Sequence, residues 1–584
     1  NLQGKKESYL SNLFEGKSMK FDEFIYNQPD MSVLSDKLKN LIQNFKNSSS
    51  FEEQDQVLSK INELRKHFET MSNIAFVRYT KNTFDKYFEQ QQNYFDEINP
   101  IYENMIGEFY KALLQTKFKP QLQKKYGNQI FNIANARIKT TSSEVLDELK
   151  LENKLTSEYR KILSQAKIPF DKKENTLSQM VYYFYSQDRS IRKSSNKAYW
   201  DFFEKHSDQF SSIYDKLVKT RTSIAKKLGF NNFIELAYFR LNRTDYNSDD
   251  VRIYRDEVKK YIVPLSQKIY EKQKKRLGLE KLNYYDEPIF YKSGNPIPEG
   301  SSKDLLEKAK KMYDELSAET SDFYRYMLCN DLLDVESRAG KAPIGYCTFI
   351  SDYRSPFIFA NFNGTIGDVG VLTHEAGHAF QVFNCQDHFF PEYYFPTYEA
   401  AEIYSMSMQF FTYPWIKLFF GDKKEKYFYQ HISSAINSIP YGVSVDEFQH
   451  FVYENPSCPS LERNKKWIEI IKKYNPHTDY SENPDLEKGI SWYRQTHIFE
   501  VPFYYIDYTL AQICAIQFWI KMERDKKSCW KDYLNICKIG GSKSFLEILK
   551  EGNLESPFKL SCMKNVSIFL QDYIDSIDDL KIDF

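Results

Sequence analysis

The chain has 584 residues, with 80 Lys and Arg balanced by 80 Asp and Glu, 41% hydrophobic residues and 16% aromatics. A formal charge of zero, with short lysine pairs such as Lys465-Lys466 interleaved with acids, excludes a protein that holds nucleic acid by neutralising phosphates. The apolar content excludes a disordered chain, and the length suffices for two or more ordinary domains.

Along the chain, the opening N-L-Q-G-K-K-E-S has no apolar signal core, so a cytoplasmic protein is expected. Residues 32–45 place Leu34, Leu38, Leu41 and Phe45 at steps of three and four, which predicts a helix. Further helical spacing covers 51–68, much of 72–118 and 142–166, and then runs from about Asp188 toward Leu228. The first two hundred residues therefore read as helices packed on helices. Turn formers gather over 277–302 and again over 337–368. Within the second stretch, F-I-F-A-N-F at 357–362 is the best strand candidate in the chain. All 8 cysteines lie between Cys329 and Cys562 without a C-x-x-C pair, which predicts reduced thiols and no cysteine metal knuckle. No stretch reaches the roughly 20 apolar residues of a membrane helix. The longest uncharged run, 427–445, contains His431, Pro440 and Gly442. The expected architecture is mostly α, with a small sheet beside whatever follows residue 368.

That segment contains H-E-A-G-H at 374–378, and Asp368 is placed to cap its helix. On a helix, His374 and His378 stand one turn apart, so both imidazoles can reach one metal ion. Glu375 lies about 100° round from His374, where it can take a proton from an attacking water instead of binding the metal. With 9 histidines in the chain, an accidental H-E-x-x-H has odds on the order of one in a hundred.

A catalytic zinc site takes three protein ligands and leaves one position open. The H-E-x-x-H-x-x-G-x-x-H pattern is ruled out, because Gln381 stands at its glycine and Asn384 at its last histidine. The helix expected from about Thr397 offers Glu399 and Glu402 at i and i+3, the latter 24 residues beyond His378. Gly377 would let that helix approach closely. Either glutamate can be the third ligand on spacing alone. Farther on, His497, Tyr505 and Tyr508 are residue types that stabilise an oxyanion, although in a chain with 44 tyrosines simple packing also explains them. His388, His431, His450 and His477 read as surface or satisfied core histidines.

The H-E-A-G-H helix preceded by P-F-I-F-A-N-F-N-G-T, together with A-E-I-Y-S-M-S-M and H-I-F-E-V-P-F-Y-Y-I-D-Y, resembles the M3 family of zinc metallopeptidases, in its oligoendopeptidase F and Pz-peptidase branch. The likeness is strongest over 229–511 and includes L-G-F-N-N-F-I-E-L-A-Y at 228–238 and A-G-K-A-P-I-G-Y-C-T at 339–348. The resemblance implies one Zn2+ per chain held by His374, His378 and Glu402, with Glu375 as general base and His497, Tyr508 and Tyr505 facing the reacting carbonyl. It also implies a gluzincin-type, zincin-like fold of two helical lobes around a deep channel. An N-terminal helical region over 1–197 would precede a catalytic domain over 198–584, whose metal-site helix spans 368–384. By the same resemblance, F-I-F-A-N-F is expected as an edge strand that pairs with bound peptide, and the loop 340–346 is expected to border the channel. The implied activity is endopeptidase cleavage of short unfolded oligopeptides in the cytoplasm, with no nucleic-acid or membrane partner. A helical metallocarboxypeptidase is the first alternative, and it needs a cation for a free C-terminal carboxylate, for which Arg354 and Arg494 are candidates. A non-catalytic helical peptide-binding scaffold is the second.

Overall fold

A computed structural model describes residues 19–583 apart from 339, 343 and 580. The opening octapeptide, and with it the reading of a leaderless start, lies outside the described residues. Helices dominate, as the periodicity predicts, but several are divided or extended by capping chemistry. The first long helix, Met31–Asn47, starts where Asp30 accepts hydrogen bonds from the amides of Ser32 and Val33. It buries Leu34, Leu38, Ile42 and Phe45, so Ile42 takes the core position that spacing assigns to Leu41. Phe51–Lys81 continues well past residue 68. The expected run 72–118 is interrupted after Lys81, because Asp85 caps a fresh helix, Lys86–Gln115, through the amides of Tyr87 and Phe88. Farther on, Arg189–Lys205 and Ser207–Lys227 are separate helices that meet at His206. The boundary expected at residue 197 falls inside the first of these.

Two small sheets are present among the described residues. The one that matters for the site has three strands in the order Leu333–Glu336, Ser355–Phe362, Tyr346–Ile350. F-I-F-A-N-F is thus the central strand, and the edge-strand expectation is corrected. Its neighbour on one side is parallel, with Leu333 opposite Ile358, and on the other antiparallel, with Tyr346 opposite Phe359. Its backbone groups are paired on both sides, in keeping with a nearly continuous apolar segment that is buried at all but Asn361. The edges are Leu333–Glu336 and Tyr346–Ile350, and residues 346–348 of the latter are only half-buried.

The sheet leads directly into the helix Gly367–Cys385. Asp368 is not its cap. It lies in the first turn and accepts from the amides of Asn363 and Gly364 at 2.9 and 2.8 Å, locking the turn between the central strand and this helix. The helices Tyr398–Phe411 and Tyr505–Arg524 pack beside it in turn. All eight cysteines are free thiols, and no described helix is long and apolar enough to cross a membrane.

Candidate active site

The site is built by three helices that can approach unusually closely. A Cβ added to Gly377 would lie 2.6 Å from Ser405 Cα and 2.7 Å from Tyr404 O, so only glycine lets the Tyr398–Phe411 helix lie against the H-E-A-G-H helix at this level. The close approach brings Glu402 onto the two histidines. Its Oε2 is 3.1 Å from His374 Nε2 and 3.4 Å from His378 Nε2. One ligand atom from each of the three side chains lies within 4.8 Å of the others, and among the described residues this is the one such cluster of His, Cys, Asp and Glu. Ligands about 2.1 Å from a tetrahedral zinc stand about 3.4 Å apart, so the donor types and their spacing fit that ion.

Hydrogen bonds hold the Glu402 carboxylate from behind. Ser405 Oγ donates to Oε2 at 2.9 Å, and the hydroxyl of Tyr504 donates to Oε1 at 2.8 Å. Burial by itself would raise the pKa of this carboxyl, but the charge on His378 and hydrogen bonds from both histidines hold it well below the usual carboxylate range. For His374 burial acts downward, yet Glu402 outweighs it and lifts the imidazole to about 9. Glu375 is buried, and burial raises its carboxyl against the opposing pull of His374 and His378. It faces the start of the exposed sheet edge, where a Cβ on Gly345 would lie 3.8 Å from Glu375 Oε1.

Glu399 does not join the cluster. It is 1% exposed, and neither carboxylate oxygen has a hydrogen-bond partner among the described residues. Burial raises it to about 7, with the Arg243 guanidinium opposing. Arg243 pairs instead with Asp507 at 2.6 Å, both side chains fully buried. It also donates to Phe503 O at 2.7 Å, while Phe503 N donates to Gln449 Oε1 at 3.0 Å. These two bonds hold Phe503 at a φ of 67°, a left-handed conformation that a bulky residue adopts only under such constraint. The helix that carries Tyr505 and Tyr508 begins immediately afterwards.

His497 and Tyr508 come together on that side, with His497 Nε2 3.4 Å from the Tyr508 hydroxyl. His497 Nδ1 is 2.9 Å from Gln495 Nε2, and the Gln495 Oε1 accepts from Tyr441 OH at 2.9 Å. Burial lowers His497 to about 4, with Glu402 opposing, so the imidazole is neutral at pH 7 and acts as an N–H donor, not a cation. Tyr505 packs edge-on against both His497 and Tyr441, with ring centroids 5.0 and 5.7 Å away. Tyr504, not Tyr505, reaches Glu402. Sequence reasoning gave no role to Tyr504, Ser405, Gln495 or Tyr441. A tyrosine one residue before a helix carries no signal, and Gln495, two residues before His497, has no motif of its own. Of the candidate cations, Arg354 is paired with Asp387 at 2.6 Å, and Arg494 lies over the Trp200 ring at 5.3 Å. His388, His431, His450 and His477 all stand outside the cluster.

Fold and site together define a mostly helical protein whose H-E-x-x-H helix and downstream glutamate converge on one point. The profile "Peptidase M3 N-terminal domain" matches residues 21–141, and "Peptidase family M3" matches 182–296 and 302–567. The chain belongs to peptidase family M3. It is 25% identical over 408 residues to an oligoendopeptidase F homolog of Borreliella burgdorferi, covering 68% of this chain and 66% of that protein. It is 20% identical over 430 residues to the oligopeptidase PepF of Bacillus subtilis, covering 70% of this chain and 60% of the relative. The chain therefore spans less than two thirds of these curated relatives' length. Among solved structures, a Pz peptidase A with an inhibitor superposes with a TM-score of 0.94 at 49% identity, covering 96% of this chain and 100% of that one. A putative oligoendopeptidase F from Bacillus anthracis str. Ames gives 0.90 at 46% identity, covering 96% and 99%.

Proposed function

We propose that this protein is a zinc-dependent endopeptidase that hydrolyses short unfolded oligopeptides. One observation carries the reading: two imidazoles and one carboxylate oxygen converge within 4.8 Å, beside a buried glutamate that takes no part in the cluster. His374, His378 and Glu402 would hold one zinc ion, which supplies Lewis acidity, activating water at neutral pH and polarising the scissile carbonyl. Glu375 accepts the proton of the attacking water. Its raised carboxyl then passes that proton to the departing amine. Tyr508, with His497 behind it, donates to the oxyanion as the carbonyl carbon becomes tetrahedral. The half-buried edge Tyr346–Ile350 beside Glu375 is suited to pair with an extended peptide, since an unpaired strand edge adds one more strand. The relatives' names, oligoendopeptidase and oligopeptidase, support short peptides as substrates. We assign the H-E-A-G-H helix to a catalytic unit that follows an N-terminal helical region.

The test digests a peptide library of graded length, blocked at both ends, with and without chelator. Internal cleavage that chelator abolishes, and that fades as substrates lengthen, is expected. Cleavage of folded proteins, or a strict need for a free C-terminus, would overturn the endopeptidase reading. Glu375→Gln should retain zinc at one per chain and lose turnover, whereas near-normal turnover would remove the general-base role.

A further inference from the structure

We propose that Tyr441 and Gln495 are positioning residues that fix the tautomer of His497, so that His497 acts through Tyr508 and Tyr508 alone of the two presents a hydrogen to the substrate carbonyl. The direction of each bond follows from what each group can donate. Arg494 has donors only, and its charge lies near enough to Tyr441 to oppose the rise that burial imposes on the phenol. The Tyr441 hydroxyl donates to Gln495 Oε1 at 2.9 Å. This fixes the amide, turning its NH2 group to His497 Nδ1, also at 2.9 Å. An amide nitrogen cannot accept, so Nδ1 is the acceptor and the imidazole proton sits on Nε2. From there it is directed at the Tyr508 hydroxyl 3.4 Å away. The neighbouring Tyr504 has already given its own hydrogen to Glu402. Tyr508 therefore accepts from His497 and keeps its O–H for the oxyanion. The result is a one-way chain of donors, each polarised by the one before.

The inference rests on the proposed peptidase reading, but part of its test does not. Gln495→Glu is nearly isosteric and reverses the chain. A carboxylate accepts from Nδ1–H, Nε2 becomes an acceptor, and the Tyr508 hydrogen turns toward His497 and away from substrate. The zinc-loaded variant is expected to lose about 100-fold in kcat with KM and zinc content held within about twofold. In the Tyr508→Phe background the same change should cost nothing further, because the interaction it acts through is gone. Independently of activity, 15N spectra of histidine-labelled wild type, with His497 assigned by its loss in His497→Gln, should show a neutral ring protonated on Nε2, and Gln495→Glu should move that proton to Nδ1. A wild-type ring protonated on Nδ1, or equal losses from Gln495→Glu with and without Tyr508, would overturn the proposal. A wild type without chelator-sensitive peptidase activity would overturn the functional reading and leave the spectra to decide the tautomer.

Discussion

The hydroxyl of Tyr504 donates to Glu402 Oε1 at 2.8 Å, leaving Oε2 turned toward both His374 and His378. This hydrogen bond decides which carboxylate oxygen faces the metal point. Tyr398 packs against Tyr504 with ring centroids 4.2 Å apart and the planes tilted by 31°, so the phenol is held and does not have to be ordered when a ligand arrives. Tyr504→Phe is therefore expected to weaken zinc affinity 10–100-fold, the usual cost of removing such support. Competition against a chromophoric chelator reads this directly. Unchanged affinity would mean that Ser405 alone is enough to orient Glu402.

Loading the metal should also displace a proton. Glu402 lifts His374 to about 9, so at pH 7 that imidazole carries a proton that a metal ion must remove. The raised pKa means that the proton is bound below about 9 and absent above it. Apparent zinc affinity should then rise by about one decade per pH unit up to that region and level off beyond it. Calorimetric titrations at pH 7 in two buffers of different ionisation enthalpy should report about one proton released from this group. Zero release would contradict the His374–Glu402 pairing.

The buried pair Arg243 and Asp507, at 2.6 Å and with no solvent exposure on either side chain, ties Phe503, to whose carbonyl Arg243 also donates, to the tyrosine helix. Glu399 lies near the same guanidinium, so two carboxyls share one cation. Removing the cation strands both. Arg243→Met is expected to cost about 3–5 kcal/mol of unfolding free energy, measured by urea denaturation. Adding Asp507→Asn should recover part of it by removing one buried acid.

How much of this was legible in the sequence depends on whether the relation is local. His374 and His378 are one turn apart with Glu375 on the flank of that face, and helical geometry alone places all three. Gly377 was legible for a related reason, since a helix presents one bare position where another must come close. The run 72–118 was harder, because the apolar spacing continues across residues 82–85 and hides the Asp85 cap. F-I-F-A-N-F reads the same whether one or two neighbours flank it. Its central place depends on Leu333–Glu336, a strand only four residues long with little pattern of its own. Tyr504 and Tyr505 are adjacent and chemically identical. The left-handed Phe503, held by Arg243 from 260 residues upstream, determines which of them meets Glu402, and no local pattern encodes that.

The contact at Gly377 gives the sharpest test of how the site is assembled. A Cβ there would meet Ser405 Cα at 2.6 Å and Ser405 N at 3.0 Å. These are backbone atoms that no rotamer change can move, so the two helices must separate. Gly370, two turns earlier on the same helix, provides the control, since its Cβ would meet only Gln409 Nε2 at 3.8 Å, an ordinary contact. Gly370→Ala should therefore be neutral or stabilising by up to about 1 kcal/mol through helix propensity. Gly377→Ala should cost about 1–3 kcal/mol as overpacking. Because Ser405 and Glu402 share the displaced helix, it should also move Glu402 Oε2 away from both histidines and weaken zinc binding more than it weakens the fold. Paired denaturation and chelator-competition measurements on the two variants separate these effects. If Gly377→Ala bound zinc as tightly as wild type, the close helix approach would have no part in building the site.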